Sequence, residues 1–276
     1  MPNLYADITM FRARFLNNQA LDATDQTDVL RVLEAASRRV DDHCRRTFYA
    51  EVATRHFDGN GCSLLLLPDL LGATSVKLDE DMDRTFELTL AAATDYFLLR
   101  HGYRDPDALP ATAIRLDAWN GQRAVFQRTP RLLEITGTWG YTEAVEDTGA
   151  QTDFGDATGT SMLINVNDAV APGQTLRIQS EQLYVRSGSG ASFIVDRGVN
   201  GTTATAHASP TTLYRYTYVP EVREAALIIA GRLWARRQTS YSNVIANPVV
   251  GQFEVYKQVD PDVVELLYPY VLREAR

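Results

Sequence analysis

The sequence predicts an α+β fold, in which a helical core carries β-hairpins and a small all-β domain, sandwich or barrel-like, is inserted into that core. Residues 24–48 and 219–238 place apolar side chains at helical spacing, whereas residues 51–139 alternate apolar and polar side chains as strands do. Residues 145–218 hold short alternating strands, turns rich in glycine, serine and threonine, and no helical spacing. We therefore predict a discontinuous body, residues 1–144 and 218–276, and an inserted β domain, residues 145–217.

Two long helices, residues 25–46 and 220–237, are predicted to pack together as the core of the body. The first has Thr24 or Asp25 as N-cap, and the second begins at Pro220, because proline is well tolerated at the first helical position. The apolar face of the first helix consists of Val29, Leu33, Ala36, Val40 and Cys44. The apolar face of the second helix consists of Val222, Ala226, Ile229 and Leu233.

Two shorter helices and an arm complete the body. The first short helix runs from Asp7, its N-cap, to Phe15, and the last is capped by Asp260 with Pro261 in its first turn. The first places Ile8, Phe11 and Phe15 on one face. Residues 239–257 are predicted to form an extended arm or hairpin.

The strands of residues 51–139 are predicted to pair with their neighbours along the chain. The run "EVATRHF", the turn "DGNG" and the run "CSLLLLPD" are typical of a hairpin. The runs "TSVKLDED" and "TFELTLAA" predict a second pair around a charged turn. The run "RLLEITGTWGY" predicts a further strand that ends at Gly140.

Charge and cysteine content exclude several classes of protein. Asp and Glu total 35 against 27 Lys and Arg, a net charge of -8, which argues against a protein that grips DNA through a basic surface. Cys44 and Cys62 have neither disulfide-framework nor zinc-ligand spacing. The first residues lack the apolar run of a signal peptide, and no window is apolar enough to cross a membrane. We expect a soluble, unexported protein with no membrane partner.

The stretch "EQLYVRSGSGASFIVDRGVNGTTATAH", residues 181–207, holds the best candidates for a catalytic site. Asp196, Arg197 and His207 offer an acid, a cation and a base. The alternative is a turn in which Gly198, Asn200 and Gly201 supply left-handed backbone positions between strands. We favour the turn, because nothing in the sequence specifies the partner geometry that acid–base catalysis needs.

Other candidate sites also have structural interpretations. The histidines at 43, 56, 101 and 207 lie in different elements, which argues against a metal site. The acidic run "DEDMD", residues 79–83, matches a calcium loop in charge only and is expected to be a solvated turn. The arginines at 232, 236 and 237 could contact phosphate, but cations are also favoured at a helix C-terminus. We predict no catalytic residue, no metal and no cofactor, and therefore a protein that is not an enzyme.

Several short segments, taken in order, resemble one protein family. A strand ending in Gly-Tyr, a Val-Pro step into a helix rich in Ala and Leu, and paired arginines at the end of that helix are similar to the head-tail connector (adaptor) proteins of tailed bacteriophages. The matching residues are Gly140, Tyr141, Val219, Pro220, Ala225, Leu233, Arg236 and Arg237, then Asp260, Pro261, Leu266, Leu267, Pro269 and Tyr270. The helix that ends in "VDDHCRRTF" resembles the opening helix of that family. Compact members of the family lack the inserted β domain.

The resemblance implies a structural virion protein of the phage neck, assembled in the host cytoplasm. Such a protein forms a ring, usually of twelve subunits, that docks beneath the portal protein, extends the DNA channel and offers a platform to a tail-side neck or tail completion protein. DNA passes through the channel without specific binding, and no catalysis is implied. A closed ring needs two different complementary patches on each subunit, and opposite charges on the two long helices are one candidate source.

Two sets of residues are predicted to carry this role. The ring-core residues are Val29, Leu33, Val40, Val222, Ile229 and Leu233. The residues of the arm that docks on the portal or on a neighbour are Tyr241, Val244, Ile245, Val249, Val250, Phe253, Val255 and Tyr256. The alternative function is a virion surface module that binds a carbohydrate or host receptor through exposed aromatic residues of the β insert. The aromatic residues available for this are Phe193, Tyr184, Tyr214, Tyr216 and Tyr218.

Overall fold

A computed structural model describes residues 3–100, 109–154, 158–238, 244–247, 251–254 and 260–272 of the chain. The chain forms two compact units. Unit 1 comprises residues 1–45, 144–199 and 203–276, and unit 2 comprises residues 46–143 and 200–202.

Unit 2 is built on a six-stranded antiparallel sheet. Its strands are β1 (Glu51–Phe57), β2 (Leu64–Leu78), β3 (Leu88–Thr89), β4 (Tyr96–Arg100), β5 (Ala111–Leu116) and β6 (Leu133–Trp139). Their order is β1-β6-β2-β5-β4, with β3 added to β2. Alternate residues point into a core that contains Leu70, Val76, Ile114, Ile135 and Trp139. This alternation is the pattern that the sequence predicted for residues 51–139.

Strand β2 corrects the predicted pairing of unit 2. The runs "CSLLLLPD" and "TSVKLDED" were expected to lie in separate strands, but both contribute to one 15-residue strand, β2. Its first half pairs with β5 and its second half with β6, and the register shifts between Leu70 and Gly72. The predicted hairpin of β1 with β2 is wrong, because β1 pairs with β6 from Glu51–Trp139 to Phe57–Leu133. The predicted pairing of β2 with the next strand, β3, is confirmed.

Unit 1 contains a second six-stranded antiparallel sheet. Its strands are β7 (Val145–Phe154), β8 (Ser161–Leu163), β9 (Thr175–Ile178), β10 (Glu181–Ser189), β11 (Ser192–Asp196) and β12 (His207–Tyr216), in the order β7-β12-β9-β10-β11-β8. The sheet closes on itself, because Thr152 of β7 bridges to Ile164 just after β8 and its hydroxyl donates to the Leu163 carbonyl at 2.7 Å. Apolar side chains such as Leu176, Val185 and Phe193 fill the interior.

The α-helices of the described residues all belong to unit 1. They are α1 (Ile8–Phe15), α2 (Ala23–Cys44), α3 (Pro220–Gln238) and α4 (Pro261–Leu267), which continues into a 3-10 turn at Tyr268–Tyr270. Helix α3 packs against the other three. The predicted N-caps Asp7 and Asp260 are confirmed, since each carboxylate accepts a backbone N–H of the first turn. The N-cap of α2 is Asp22 rather than Thr24 or Asp25.

The predicted helical faces are confirmed in part. All five apolar residues predicted for α2 are fully buried. In α1, Ile8 and Phe11 are buried but Phe15 is exposed. Helix α3 buries more than the predicted stripe, namely Val222, Ala225, Ala226, Leu227, Ile229 and Ala230, while Leu233 is only half-buried. The reason is that α3 lies among three other helices, so a single stripe cannot describe its contacts.

The segment before α1 joins the helices of unit 1 to the closed sheet. Leu4, Tyr5 and Ala6 are buried, and the Tyr5 N–H donates to the Ser37 hydroxyl of α2 at 3.0 Å. On the sheet side, the ring of Tyr5 packs edge-on against Tyr218, with the centroids 4.8 Å apart. This segment therefore connects α2 to Tyr218, in the link between β12 and α3.

The predicted fold class is wrong. The described structure consists mainly of two antiparallel sheets, and the helices share a compact unit with β7–β12 instead of forming a core of their own. The absence of helix from residues 145–216 was predicted correctly for the described residues. Helical spacing in a sequence identifies the buried face of a helix but not the element that covers it.

Within the described residues, no helix has both the length and the apolar character needed to cross a membrane.

Candidate functional site

The stretch that held the catalytic candidates contains a buried ion cluster centred on Glu181, the first residue of β10. Arg197 Nε and Nη2 donate to the two carboxylate oxygens of Glu181 at 2.6 and 2.8 Å. His207 Nε2 lies 2.7 Å from Glu181 Oε2. The backbone N–H groups of Gly198 and Thr205 also donate to this carboxylate, each at 3.1 Å. Glu181 thus holds both ends of the loop between β11 and β12.

Electrostatics keep the Glu181 carboxylate ionised. Burial alone raises its pKa, but the hydrogen bonds from Arg197, His207 and the Thr205 N–H outweigh that effect and lower the pKa to about 2. The side chains of Glu181 and His207 have no solvent exposure, and that of Arg197 has almost none. A base that is ionised, saturated with donors and closed to solvent cannot reach a substrate. The cluster therefore has a structural role, which is to hold the loop between β11 and β12 against β10.

Only two of the three candidate catalytic residues lie together in the structure. Arg197 and His207 meet at Glu181, whereas Asp196 pairs with Arg186 at the surface. The turn interpretation is supported by the left-handed backbone of Gly198, Asn200 and Gly201. Sequence reasoning missed Glu181 itself. The available signal was an acidic residue at the start of the apolar run "EQLYV", where a charge at an inward position requires a partner.

The predicted ring-core residues lie mostly in the interior of unit 1. Val29, Leu33, Val40 and Val222 are fully buried, Ile229 is nearly so, and Leu233 is half-buried. Helices α2 and α3 pack against each other, as predicted. Since these side chains pack within one subunit, subunit contacts made by the two helices would use their exposed faces. The role of these residues in a ring stays a prediction.

Some charges on the two long helices pair within the chain, and the role of the others between subunits stays a prediction. Arg237 of α3 contacts Asp25 and Asp28 of α2 at 2.9 and 3.2 Å. Arg232 contacts Asp260 at 2.7 Å. Two of the three arginines considered for phosphate binding are therefore paired with carboxylates of the same chain.

The predicted arm contains a β-hairpin. Strands β13 (Val244–Asn247) and β14 (Gly251–Glu254) form a two-stranded antiparallel sheet, in which Ile245 lies opposite Phe253. Of the predicted docking residues, Val244, Ile245 and Phe253 lie in these strands. Tyr241, Val249, Val250, Val255 and Tyr256 lie outside the described residues. The strand pairing of a hairpin, one of the two conformations predicted for this segment, is thus confirmed for residues 244–247 and 251–254.

No family model, curated protein or solved structure matches this chain. The assignment of a function therefore rests on the residues themselves.

The acidic hairpin between β2 and β3 gathers four carboxylates. Ligand oxygens of Asp79, Asp81, Asp83 and Glu87 lie within 4.8 Å of one another. Backbone donors already occupy this group: Asp79 accepts the N–H of Met82 at 2.8 Å and that of Arg84 at 2.9 Å. The Thr85 N–H lowers the pKa of Asp83, so this exposed acid is ionised at neutral pH. The described structure therefore has a charged tip whose carboxylates order their own turn, as the solvated-turn interpretation expects.

The aromatic residues named for carbohydrate binding do not form an exposed platform. Phe193, Tyr184 and Tyr218 are buried, and Tyr214 and Tyr216 are half-buried. Arg177 covers the ring of Tyr214, with its guanidinium 5.5 Å from the ring centroid. The observation that would have favoured a glycan-binding insert is therefore lacking at these five positions. The most exposed aromatic residue of the described chain is instead Trp119, in unit 2.

Proposed function

We propose that this protein is a head-tail connector (adaptor) of a tailed bacteriophage. It docks as a ring, usually of twelve copies, beneath the portal protein, extends the DNA channel and provides the platform for a tail-side neck protein. DNA slides through the ring without specific binding, which is consistent with a net charge of -8. The protein acts in the neck of the virion after assembly in the host cytoplasm, and it catalyses no reaction.

The first support is the sequence resemblance, together with the packing of the two segments that carry its C-terminal part. Helix α3 begins at Pro220 and α4 at Pro261, two of the three proline positions of the pattern. Arg232 of α3 contacts Asp260, the N-cap of α4. The Tyr270 hydroxyl lies 3.2 Å from Glu221 Oε2 at the start of α3. The matching segments are therefore neighbours in unit 1.

The observation that carries the proposal is the hairpin between these two helices. Residues 239–260 connect α3 to α4, although Arg232 and Asp260 already hold the helices side by side. Such a connection is far longer than the few residues that neighbouring helices require, and long connections in compact units usually have a function. Strands β13 and β14 pair only with each other among the described strands. A two-stranded ladder is only marginally stable alone and becomes more stable when a third strand is added. A portal subunit or a neighbouring copy would supply that strand.

Electron microscopy of DNA-filled, tailless capsids of the cognate phage tests the proposal. Purified protein is added and the portal vertex is averaged with and without it. We expect a ring of added density at that single vertex. An exposed portal without added density would contradict the connector role, and density distributed over the capsid surface would favour the alternative surface-binding module.

A strand-breaking variant tests the arm. Ala246 lies opposite Gln252 in the β13–β14 ladder. We expect Ala246→Pro to lose capsid docking as completely as deletion of residues 239–257, because proline lacks a backbone N–H donor and fixes φ at about −65°, which disfavours an extended strand that pairs on both edges. The matched variant Ala246→Ser keeps the donor and should dock normally. Docking is measured by co-sedimentation with capsids, and circular dichroism should give the same helix content for both substitutions. Docking of the deletion variant at the wild-type level would refute the role of the arm.

A further inference from the structure

Three loops of unit 2 are joined into one surface, which we call the loop end: residues 79–87, 91–95 and 117–123. Asp95 is its centre, because its carboxylate accepts the Ala91 N–H at 2.7 Å and the Gln122 N–H at 2.9 Å. The Asp117 N–H donates to the Asp95 carbonyl at 2.9 Å. An ion pair between Arg123 and Glu80 attaches the acidic hairpin to the same assembly. The three loops are thus fixed relative to one another.

The loop end presents the two most exposed large apolar side chains of the described chain. Trp119 is 95% exposed and Met82 is 66% exposed. The backbone around each is fixed, since Asp117 Oδ1 accepts the Trp119 N–H at 2.9 Å and Asp79 Oδ1 accepts the Met82 N–H at 2.8 Å. Met82 also has a left-handed φ of 67°, which is unfavourable for a residue with a side chain. The backbone at Trp119 is thus held in place while its side chain is exposed to solvent, and tryptophan is enriched at the centres of protein-binding surfaces.

The charge of the loop end selects the kind of partner. Asp81, Asp83 and Glu87 are exposed, and their carboxylates are crowded within the cluster around Asp79. A partner's arginine or lysine would relieve this repulsion. The face of a tryptophan ring also attracts cations. Apolar and acidic groups on the same surface therefore favour a segment that is both apolar and basic.

We propose that the loop end binds a basic, apolar segment of a partner protein. A cationic side chain of the partner lies between Trp119 and the exposed carboxylates of the acidic hairpin, and an apolar side chain packs on Met82. The proposal concerns unit 2 alone and does not depend on a phage role.

Fluorescence titration of the purified full-length protein tests this inference. The probe is a short capped peptide of alternating leucine and arginine, in a buffer that contains a chelator. The chain has three tryptophans, so the signal of Trp119 is obtained by difference from Trp119→Phe. We expect a saturable blue shift of Trp119 emission that weakens with added salt. The same peptide with glutamate in place of arginine should bind at least about tenfold more weakly.

Variants distinguish binding of the peptide at the loop end from non-specific attraction of a basic peptide to an acidic protein. Asp81→Asn/Asp83→Asn should weaken binding of the arginine peptide about tenfold, and Trp119→Ala, followed by calorimetry, about 30-fold. The control variant Asp42→Asn/Glu146→Gln removes two exposed charges elsewhere and should leave the affinity unchanged. Equal weakening by the control variant, or no saturable shift with the arginine peptide, would overturn the proposal. A shift produced by neutral oligosaccharides and insensitive to salt would also overturn it and identify a glycan site.

Discussion

Glu181→Gln is expected to lower the free energy of unfolding of unit 1 by about 3–5 kcal/mol at pH 7. The substitution leaves the buried guanidinium of Arg197 without its counter-charge, and His207 loses a charged acceptor at 2.7 Å. The loss is large because this cluster is excluded from solvent. Leaving one charge of a buried ion pair without its partner destabilises a protein far more than breaking an ion pair at the surface. Equilibrium urea unfolding followed by circular dichroism measures it.

A surface ion pair in the same unit provides the matched control. Glu146 pairs with Arg215, but its side chain is 47% exposed, so Glu146→Gln should cost no more than about 1 kcal/mol. The pH dependence gives a second check. The folded-state pKa of Glu181 is depressed to about 2, so its stabilising contribution is complete above its ordinary pKa of 4.5 and is lost as the pH falls towards 2. The difference between Glu181→Gln and wild type should shrink in that window. If Glu181→Gln and Glu146→Gln lowered the free energy of unfolding equally, the structural role of the Glu181 cluster would be disproved.

Asp41→Asn is expected to remove a loss of stability that the wild-type protein undergoes between about pH 4 and pH 7. Burial raises the pKa of Asp41 from 3.8 to about 6, although the Tyr5 hydroxyl and Arg38 act in the opposite direction. An acid whose folded-state pKa is raised contributes stability below its unfolded pKa and loses it as the pH rises through the folded value. The shift corresponds to a loss on the order of 2–3 kcal/mol.

The neighbouring acid serves as the control for Asp41. Asp42 is exposed on the same helix and its charge contributes to the raised pKa of Asp41, so Asp42→Asn should keep the loss of stability but move it to lower pH. Urea midpoints are measured at intervals from pH 4 to pH 8 for the three proteins. The groups facing Asp41 include Tyr5, Arg38 and Tyr218, and burial raises the pKa of Tyr218 well above this range, so that phenol stays neutral. A wild-type slope that persists in Asp41→Asn would exclude Asp41 as its source.

The sequence predicted individual elements better than their pairing. The spacing of Val29, Leu33 and Val40 identified the buried face of α2, because one side of a helix repeats every three to four residues. The partner of β1 was not predictable in the same way. A short turn favours pairing of β1 with β2, but β6 is inserted between them, and that choice depends on core contacts between residues distant in the sequence. The fold class failed for the same reason, since periodicity does not specify what covers α2 and α3.

The chemistry of the buried clusters was also only partly predictable. Arg197 and His207 were identified as chemically notable, yet their shared partner Glu181 lies 16 and 26 residues away along the chain. Of the loop end, only the acidic run at residues 79–83 was considered, and it was expected to be a solvated turn. The second component of the loop end, Trp119, has no motif in the sequence that marks it as exposed. Its exposure depends on the arrangement of loops that Asp95 and Asp117 hold by hydrogen bonds between residues distant in the sequence.

The distribution of the two units along the chain determines the order in which they can fold during synthesis. Unit 2 uses residues 46–143 with only residues 200–202 added, so nearly all of it emerges from the ribosome as one continuous stretch. Unit 1 cannot be completed then, because Tyr5 must pack on Tyr218 and Arg237 must reach Asp25. Leu4 and Tyr5 therefore stay exposed to solvent until the residues that cover them have been translated, which is more than half of the protein later. Chaperones that recognise apolar segments would be expected to act on these first residues rather than on the sheet of unit 2.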